Sequence, residues 1–186
     1  MTQFKVTILG CGSSGGVPLI NGHWGACDPS EPKNRRRRAS LMIETETTCV
    51  LVDAGPDVRA QLLDYKPKKI DALILTHDHA DHTHGLDDLR FMIYDQEINP
   101  LPVYMGQETE RSLHLKFPYL FSKTSSNPMY PALYSEVLVD GEFTIGDLDF
   151  QSWLQPHGLI QSMGLRVGDF AYSTDAVDLT EKHFRF

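Results

Sequence analysis

Cysteine is scarce in this chain. Its 186 residues hold only Cys11, Cys27 and Cys49, with no CxxC spacing. An odd, scattered set argues against a disulfide framework and points to a reducing cytoplasm. Long apolar runs are missing as well. The opening MTQFKVTILG carries a lysine and reaches Gly10 before any membrane-length stretch, so neither a signal peptide nor a membrane span is expected. There is no surplus of basic residues. The formal net charge is −8, which argues against a broad nucleic-acid surface, because such surfaces work by neutralising phosphates. Part of that acidity lies in clustered Asp residues, whose charge bound cations would offset. Repeats and low-complexity tracts are absent too. What is present is the composition of a globular protein, 41% hydrophobic and 23% charged. The length suits a single domain over residues 1–186.

Phe4, Val6 and Ile8 alternate with Lys5 and Thr7 before Gly10, the pattern of an opening strand. Residues 10–16, GCGSSGG, form a small-residue loop, and residues 21–38 read as extended loop. Residues 41–46 and 50–53 read as a strand pair, and 57–65 as a short helix capped by Asp57. Residues 70–76 are continuously apolar, like a buried strand. Leu86, Leu89 and Ile93 have helical spacing, 103–105 reads as a strand, and 108–121 as a helix. Residues 123–134, with Pro128 and Pro131, read as a mobile loop. Short strands follow near 135–140, 143–145, 148–154, 163–168 and 170–174, with Gly-Asp turns at 146–147 and 168–169. Asp178 and Glu181 then have the spacing of a helix cap and its third-position glutamate.

The chemistry concentrates in His77-Asp78-His79-Ala80-Asp81-His82. In an extended segment residues two apart face the same way, so His77 and His79 can grip one ion. Asp81 and His82, after a turn, can face a second. Imidazole suits zinc and other borderline divalent metals, and carboxylate adds a harder ligand. Four such side chains buried together without metal would be costly. A His-rich surface loop is the bland alternative.

This run resembles the HxHxDH signature of the metallo-β-lactamase superfamily. LVDAGP at 51–56 is similar to that family's strand ending in Asp-x-Gly. His157 in QPHG and Asp175 in YSTDA match the spacing of its next two ligands. GCGSSGGVP at 10–18 and the loop into NRRRRASLMIE at 34–44 resemble one branch in particular. That branch includes the cyclic-phosphate phosphodiesterase of phosphonate breakdown, with tRNA 3′-processing nucleases more distant. The resemblance implies an α/β fold, the αββα sandwich, with two facing sheets and helices outside. It also implies two divalent metal ions, zinc first, with manganese or iron as alternatives. His77, His79 and His157 would hold the first ion, Asp81 and His82 the second, and Asp175 both. Two ions about 3.5–4 Å apart would turn a shared water into hydroxide, and Asp81 would take the catalytic role of orienting it. The implied reaction is hydrolysis of a small or cyclic phosphodiester by a cytoplasmic enzyme. No membrane or nucleic-acid partner is expected, and a homodimer is left open. A tRNA 3′-processing nuclease is the rival enzyme, and an inert metal-binding fragment the rival of another class. A flavodiiron-type redox site fits less well, because those relatives place glutamate where His79 stands.

The chain departs from the family pattern in two places. The family's second metal takes a further histidine well beyond the bridging aspartate, whereas only 11 residues follow Asp175 here, with His183 among them. A C-terminally truncated domain is therefore expected. The loop at 21–27, NGHWGAC, has only Cys27 where some relatives carry a cysteine cluster, so no structural zinc is expected.

Several other residues have two readings each. Asp53 either orients a ligand histidine or forms a turn. Arg35, Arg36, Arg37 and Arg38 either hold a phosphate or form a solvated run. His84 could line the pocket, while Asp87 and Asp88 read as surface groups or supports. The glycines at 10–16 let backbone approach the site closely and do not fit a dinucleotide fingerprint. Trp24, Phe117, Tyr119, Phe121 and Tyr130 form either a lid or ordinary core.

Overall fold

A computed structural model describes residues 3–95, 100–121 and 133–181. The expected loop at 123–134 falls almost wholly outside these residues, as does His183. Six strands form the first sheet in sequence order: β1 (Lys5–Gly10), β2 (Ser40–Glu44), β3 (Cys49–Val52), β4 (Ala72–Ile74), β5 (Leu101–Met105) and β6 (Tyr134–Leu138). β1, β2 and β3 pair antiparallel, whereas β3 through β6 run parallel. Parallel neighbours need crossovers. Helix α1 (Val58–Tyr65) follows β3, and α2 (Ala80–Thr83) and α3 (Arg90–Asp95) follow β4. Helices α4 (Gln107–Lys116) and α5 (Pro118–Phe121) follow β5.

The second sheet has the order β10 (Phe170–Tyr172), β9 (Ile160–Val167), β8 (Leu148–His157), β7 (Glu142–Ile145), all antiparallel. Its three hairpins each turn on two residues, and each turn begins with a left-handed glycine: Gly146, Gly158 and Gly168, at φ 58°, 61° and 53°. That is the glycine-first chemistry of a II′ turn.

Side-chain alternation divides the core in two. Met42, Leu51, Leu73 and Val103 point to the helices and pack with Val58, Leu62, Leu86, Leu89 and Leu113. Leu41, Ile43, Val50, Val52 and Ile74 point the other way, onto Leu148, Phe150, Met163, Leu165 and Val167 of the second sheet. Full burial stabilises each of these large side chains by about 1.5–3 kcal/mol. The sandwich is therefore helix on sheet on sheet. Among the described residues no helix lies over the outer face of the second sheet, and none is long and apolar enough to cross a membrane.

The structure corrects several local expectations. The helix expected over 108–121 breaks at Phe117 (φ −134°), since the residue before Pro118 is pushed out of the helical region. Asp57 makes no capping bond; its two carboxylate oxygens instead accept from Arg38 N and Arg38 Nη1, each at 2.9 Å. The helix expected to start at Asp178 is not seen as drawn. Asp178 sits at φ 56° rather than in the extended geometry of a cap, and Glu181 alone begins a helical turn where the described residues end. β8 runs three residues further than expected, to His157.

Candidate metal centre

The strands that end at one edge of the sandwich build the site. Asp53 follows β3, and Thr76, His77 and His79 follow β4. Asp81 and His82 lie on α2, His157 ends β8, and Asp175 follows β10. Asp53 (φ 60°) and Asp175 (φ 49°) are two of only four non-glycine residues with left-handed backbone among those described. Such strain persists where surrounding structure enforces it, and it concentrates at functional sites.

All six expected ligands converge. His77, His79, His157 and Asp175 form one group and Asp81, His82 and Asp175 a second, with ligand-type atoms inside each group no more than 4.8 Å apart. Asp175 Oδ2 is the shared point, 3.5 Å from His77 Nε2, 3.1 Å from His82 Nε2 and 3.7 Å from His157 Nε2. His79 Nδ1 faces His157 Nε2 at 3.1 Å, and Asp81 Oδ2 lies 3.3 Å from His82 Nε2. His77 Nε2 is buried with no hydrogen-bond partner among the described residues, although buried polar atoms are almost always satisfied. An orphaned imidazole nitrogen aimed at a carboxylate and two further imidazoles fits a divalent cation.

Supports hold these groups from behind. Asp53, fully buried, meets His82 Nδ1 through Oδ2 at 2.7 Å. Its Oδ1 accepts from Thr76 N at 2.8 Å, and the Thr76 hydroxyl lies 3.0 Å from His77 Nδ1. Both imidazoles thus have their far nitrogen engaged, which directs Nε2 into the site. A buried polar trio fixes the Asp175 segment. Gln155 Nε2 donates to Thr174 O (2.8 Å), and Ser162 Oγ reaches Thr174 O and Asp175 O at 3.2 and 3.3 Å. Thr76, Gln155 and Ser162 were missed in the sequence, where single polar residues in apolar strands give no periodic signal.

Charge follows the same geometry. Asp175 is held down at about 2, first by its hydrogen bond from His82, against burial. Burial, then the neighbouring His82, pushes His77 down to about 4. Burial also acts downward on His82, but Asp53 and Asp175 outweigh it and raise it to about 10. His77 is thus a neutral lone-pair donor at pH 7, while His82 keeps a proton among Asp53, Asp81 and Asp175.

The remaining candidates divide. Asp78 turns away from the cluster, its Oδ2 accepting from Ser112 Oγ at 2.5 Å and Lys116 Nζ at 2.6 Å. His84 is exposed and meets Phe117 edge-on at 5.3 Å. Asp87 pairs with Arg90 at 3.2 Å, a surface contact. Phe117 and Phe121 join the core, as core aromatics rather than a lid; Tyr119 is exposed, and Tyr130 lies outside the described residues. Close backbone approach to the site is made by Gly55, where an added Cβ would run into Asp81 O. The glycines at 10–16 instead approach the arginine segment.

Two facing sheets with a histidine–aspartate cluster at one edge are the architecture of the metallo-β-lactamase fold. The sequence profile of the Beta-lactamase superfamily domain matches residues 48–185, and the chain belongs to that superfamily. An octanoyltransferase of Porphyromonas gingivalis (strain ATCC BAA-308 / W83) is 36% identical over 177 residues, which are 94% of this chain but 35% of that protein. A ribonuclease Z of Limosilactobacillus reuteri (strain DSM 20016) is 29% identical over 121 residues, 63% of this chain and 38% of that enzyme. Among solved structures, a diphosphatase of the PhnP family superposes with a TM-score of 0.77 at 33% identity. That match covers 91% of this chain and 65% of the diphosphatase. The chain therefore spans little more than a third of the length of these two curated relatives.

Proposed function

We propose that this chain is the metal-binding core of a phosphodiesterase acting on a small or cyclic phosphodiester. The observation that carries the reading is the convergence of three imidazole nitrogens on Asp175 Oδ2 within 3.1–3.7 Å. His77, His79 and His157 would hold one divalent ion, Asp81 and His82 a second, and Asp175 both. Zinc suits a set of four imidazoles and two carboxylates, and manganese or iron are the alternatives. Bound there, the ions would supply Lewis acidity and acidify a coordinated water. The chain's own groups do the rest. Asp53 and Thr76 fix the rings of His82 and His77, and Asp81 would orient the attacking water by accepting a hydrogen bond from it. Lys116 and Ser112 hold Asp78 aside. Similarity to the PhnP-family diphosphatase supports phosphate chemistry.

A second reading follows from the similarity to ribonuclease Z: cleavage of a phosphodiester in RNA. Against it stand the net charge of −8 and the pairing of Arg37 and Arg38 with Asp64 and Asp57 at 2.6 and 2.9 Å. The test is hydrolysis of bis(p-nitrophenyl) phosphate after zinc or manganese reconstitution, beside a tRNA precursor. Turnover of the small diester, lost in His79→Ala and Asp175→Ala variants that still fold, is expected. Cleavage of the tRNA precursor alone would reverse the order of the two readings, and activity on lactams or thioesters alone would remove both.

A further inference from the structure

His77 and His79 can share an ion only while the chain between them stays extended, so that alternate side chains face the same way. Regular structure does not enforce this. The pair lies between the end of β4 and the start of α2. Among the described residues neither His77 nor Asp78 makes a backbone–backbone hydrogen bond. The span is tied down by side chains at three points. Before it, Thr76 N and Thr76 Oγ1 both donate to Asp53, at 2.8 and 2.9 Å. After it, His79 O accepts from Thr83 Oγ1 at 2.8 Å and from His82 N at 3.1 Å. His79 itself is extended, at φ −62° and ψ 153°.

The middle point is Asp78, and there the hold comes from α4. Lys116 Nζ donates to both Asp78 O and Asp78 Oδ2, at 2.6 Å each, and Ser112 Oγ donates to the same Oδ2 at 2.5 Å. The Thr83 hydroxyl reaches Asp78 O only at 3.4 Å. Ser112 and Lys116 are four residues apart and so share one face of the helix. That helix is anchored independently of them. Leu113 and Thr109 are buried, and His114 Nε2 meets Glu136 Oε1 of β6 at 2.9 Å.

A solvated surface ion pair is the bland reading of Lys116 and Asp78, and such pairs contribute little. Two observations weigh against it. The two side chains are only 35% and 24% exposed, and the lysine grips the backbone as well as the carboxylate. Charge-assisted bonds of this kind are shorter and stronger than neutral ones. Three of them converge on the one residue that separates two candidate ligands.

We propose that Lys116 and Ser112 are positioning residues for the ion held by His77 and His79. They set the direction of both rings by clamping the residue between them to α4. The proposal rests on the metal reading of the cluster and extends it to a helix that contributes no ligand. Released from the clamp, the Asp78 peptide groups would rotate, and the carboxylate would be free to turn toward the ion.

The probe is cobalt(II), which takes the same ligands as zinc but absorbs visible light where zinc, with its filled d shell, does not. It is titrated into the metal-free chain, and affinity and spectrum are read without turnover. The binding step lost in His79→Ala marks the ion in question. For that step Lys116→Met should bind about 10- to 100-fold more weakly, the usual cost of losing a partner that orients ligands, with an altered cobalt spectrum. Ser112→Ala should show a smaller loss in the same direction. Lys116→Arg, which keeps the charge and the donors, should recover most of the affinity. Glu136→Gln, which loosens α4 on the His114 side alone, should match wild type in both readouts. Circular dichroism checks each fold, and Ser112→Ala, which removes one hydrogen bond, covers the case in which Lys116→Met misfolds. Wild-type affinity and spectrum in both Lys116→Met and Ser112→Ala would overturn the proposal and leave the metal reading standing. An equal loss in Glu136→Gln would also overturn it, since α4 would then act only as general support. Absence of cobalt binding by wild type would overturn the metal reading and the proposal together.

Discussion

Asp53 never reaches the ligand cluster, yet two of its members depend on it. It is fully buried at φ 60°, with Thr76 on one oxygen and His82 on the other. Replacing it with alanine leaves a buried imidazolium without its main counter-charge, which costs about 3–5 kcal/mol when one member of a buried pair is removed. Urea melts of metal-free Asp53→Ala should show that loss, and a shift within error of zero would contradict it. The raised value of His82, about 10, has a consequence for metal uptake. A ligand must be deprotonated to bind, so each ion entering the second group displaces the His82 proton. Affinity should then rise with pH below 10, by roughly tenfold per pH unit. Calorimetry in buffers of different ionisation enthalpy would count that proton, and pH-independent affinity between 6.5 and 9 would refute it. Thiol chemistry offers a check outside the site. Cys11 is exposed, while Cys49 is buried, and that burial, with Glu44 and Asp71 nearby, pushes it up to about 12. Iodoacetamide at pH 8 should label Cys11 in the native chain and Cys49 only after unfolding. At this scale the run from His77 to His82 could be read from its short spacing, whereas His157 and Asp175, far along the chain, came only with the family resemblance. Thr76, Gln155 and Ser162 came with neither, because their roles appear only when distant strands meet.

Local backbone chemistry decides how far each element runs. The Gly-Asp pairs at 146–147 and 168–169 announced two hairpins correctly, since a two-residue turn starting with left-handed glycine is among the strongest local signals. The third hairpin, Gly158-Leu159, was missed because Pro156 and His157 look like a strand end. His157 in fact pairs with Ile160 as the last rung of β8. Asp57 shows the converse failure. Its spacing suits a cap, but Arg38, nineteen residues away, takes the carboxylate. Packing also explains Gly55, on the turn between β3 and α1. An alanine there would drive its methyl into Asp81 O. Gly55→Ala should therefore cost about 1–3 kcal/mol from overpacking and lower metal occupancy, whereas Gly106→Ala, which meets nothing within 4 Å, should do neither. Equal thermal stability and metal content in the two variants would show that the Gly55–Asp81 contact does not position α2.

Among the described residues two sheets meet over one apolar layer with helices outside the first, and the candidate ligand cluster lies at the edge where both supply residues. The mixed first two-thirds and strand-rich remainder of the sequence foretold the two sheets. Their facing arrangement came from the family resemblance, since periodicity alone does not say which sheet a strand joins. The cluster needs both sheets: His77 and His82 lie just beyond β4 of the first, His157 ends β8 and Asp175 follows β10 of the second, and Met163 N to Thr76 O at 2.8 Å ties them together beside the site. Metal should therefore stabilise the sandwich as a unit, by RT ln(1 + [M]/Kd), and its removal should lower the melting temperature in one cooperative step. The most direct measurement is anomalous diffraction at the zinc edge from crystals of the zinc-reconstituted chain. The account predicts two peaks about 3.5–4 Å apart, one against His77, His79 and His157, the other against Asp81 and His82, with Asp175 touching both. No peak among these residues, or ions bound with His77 and His79 apart, would contradict it.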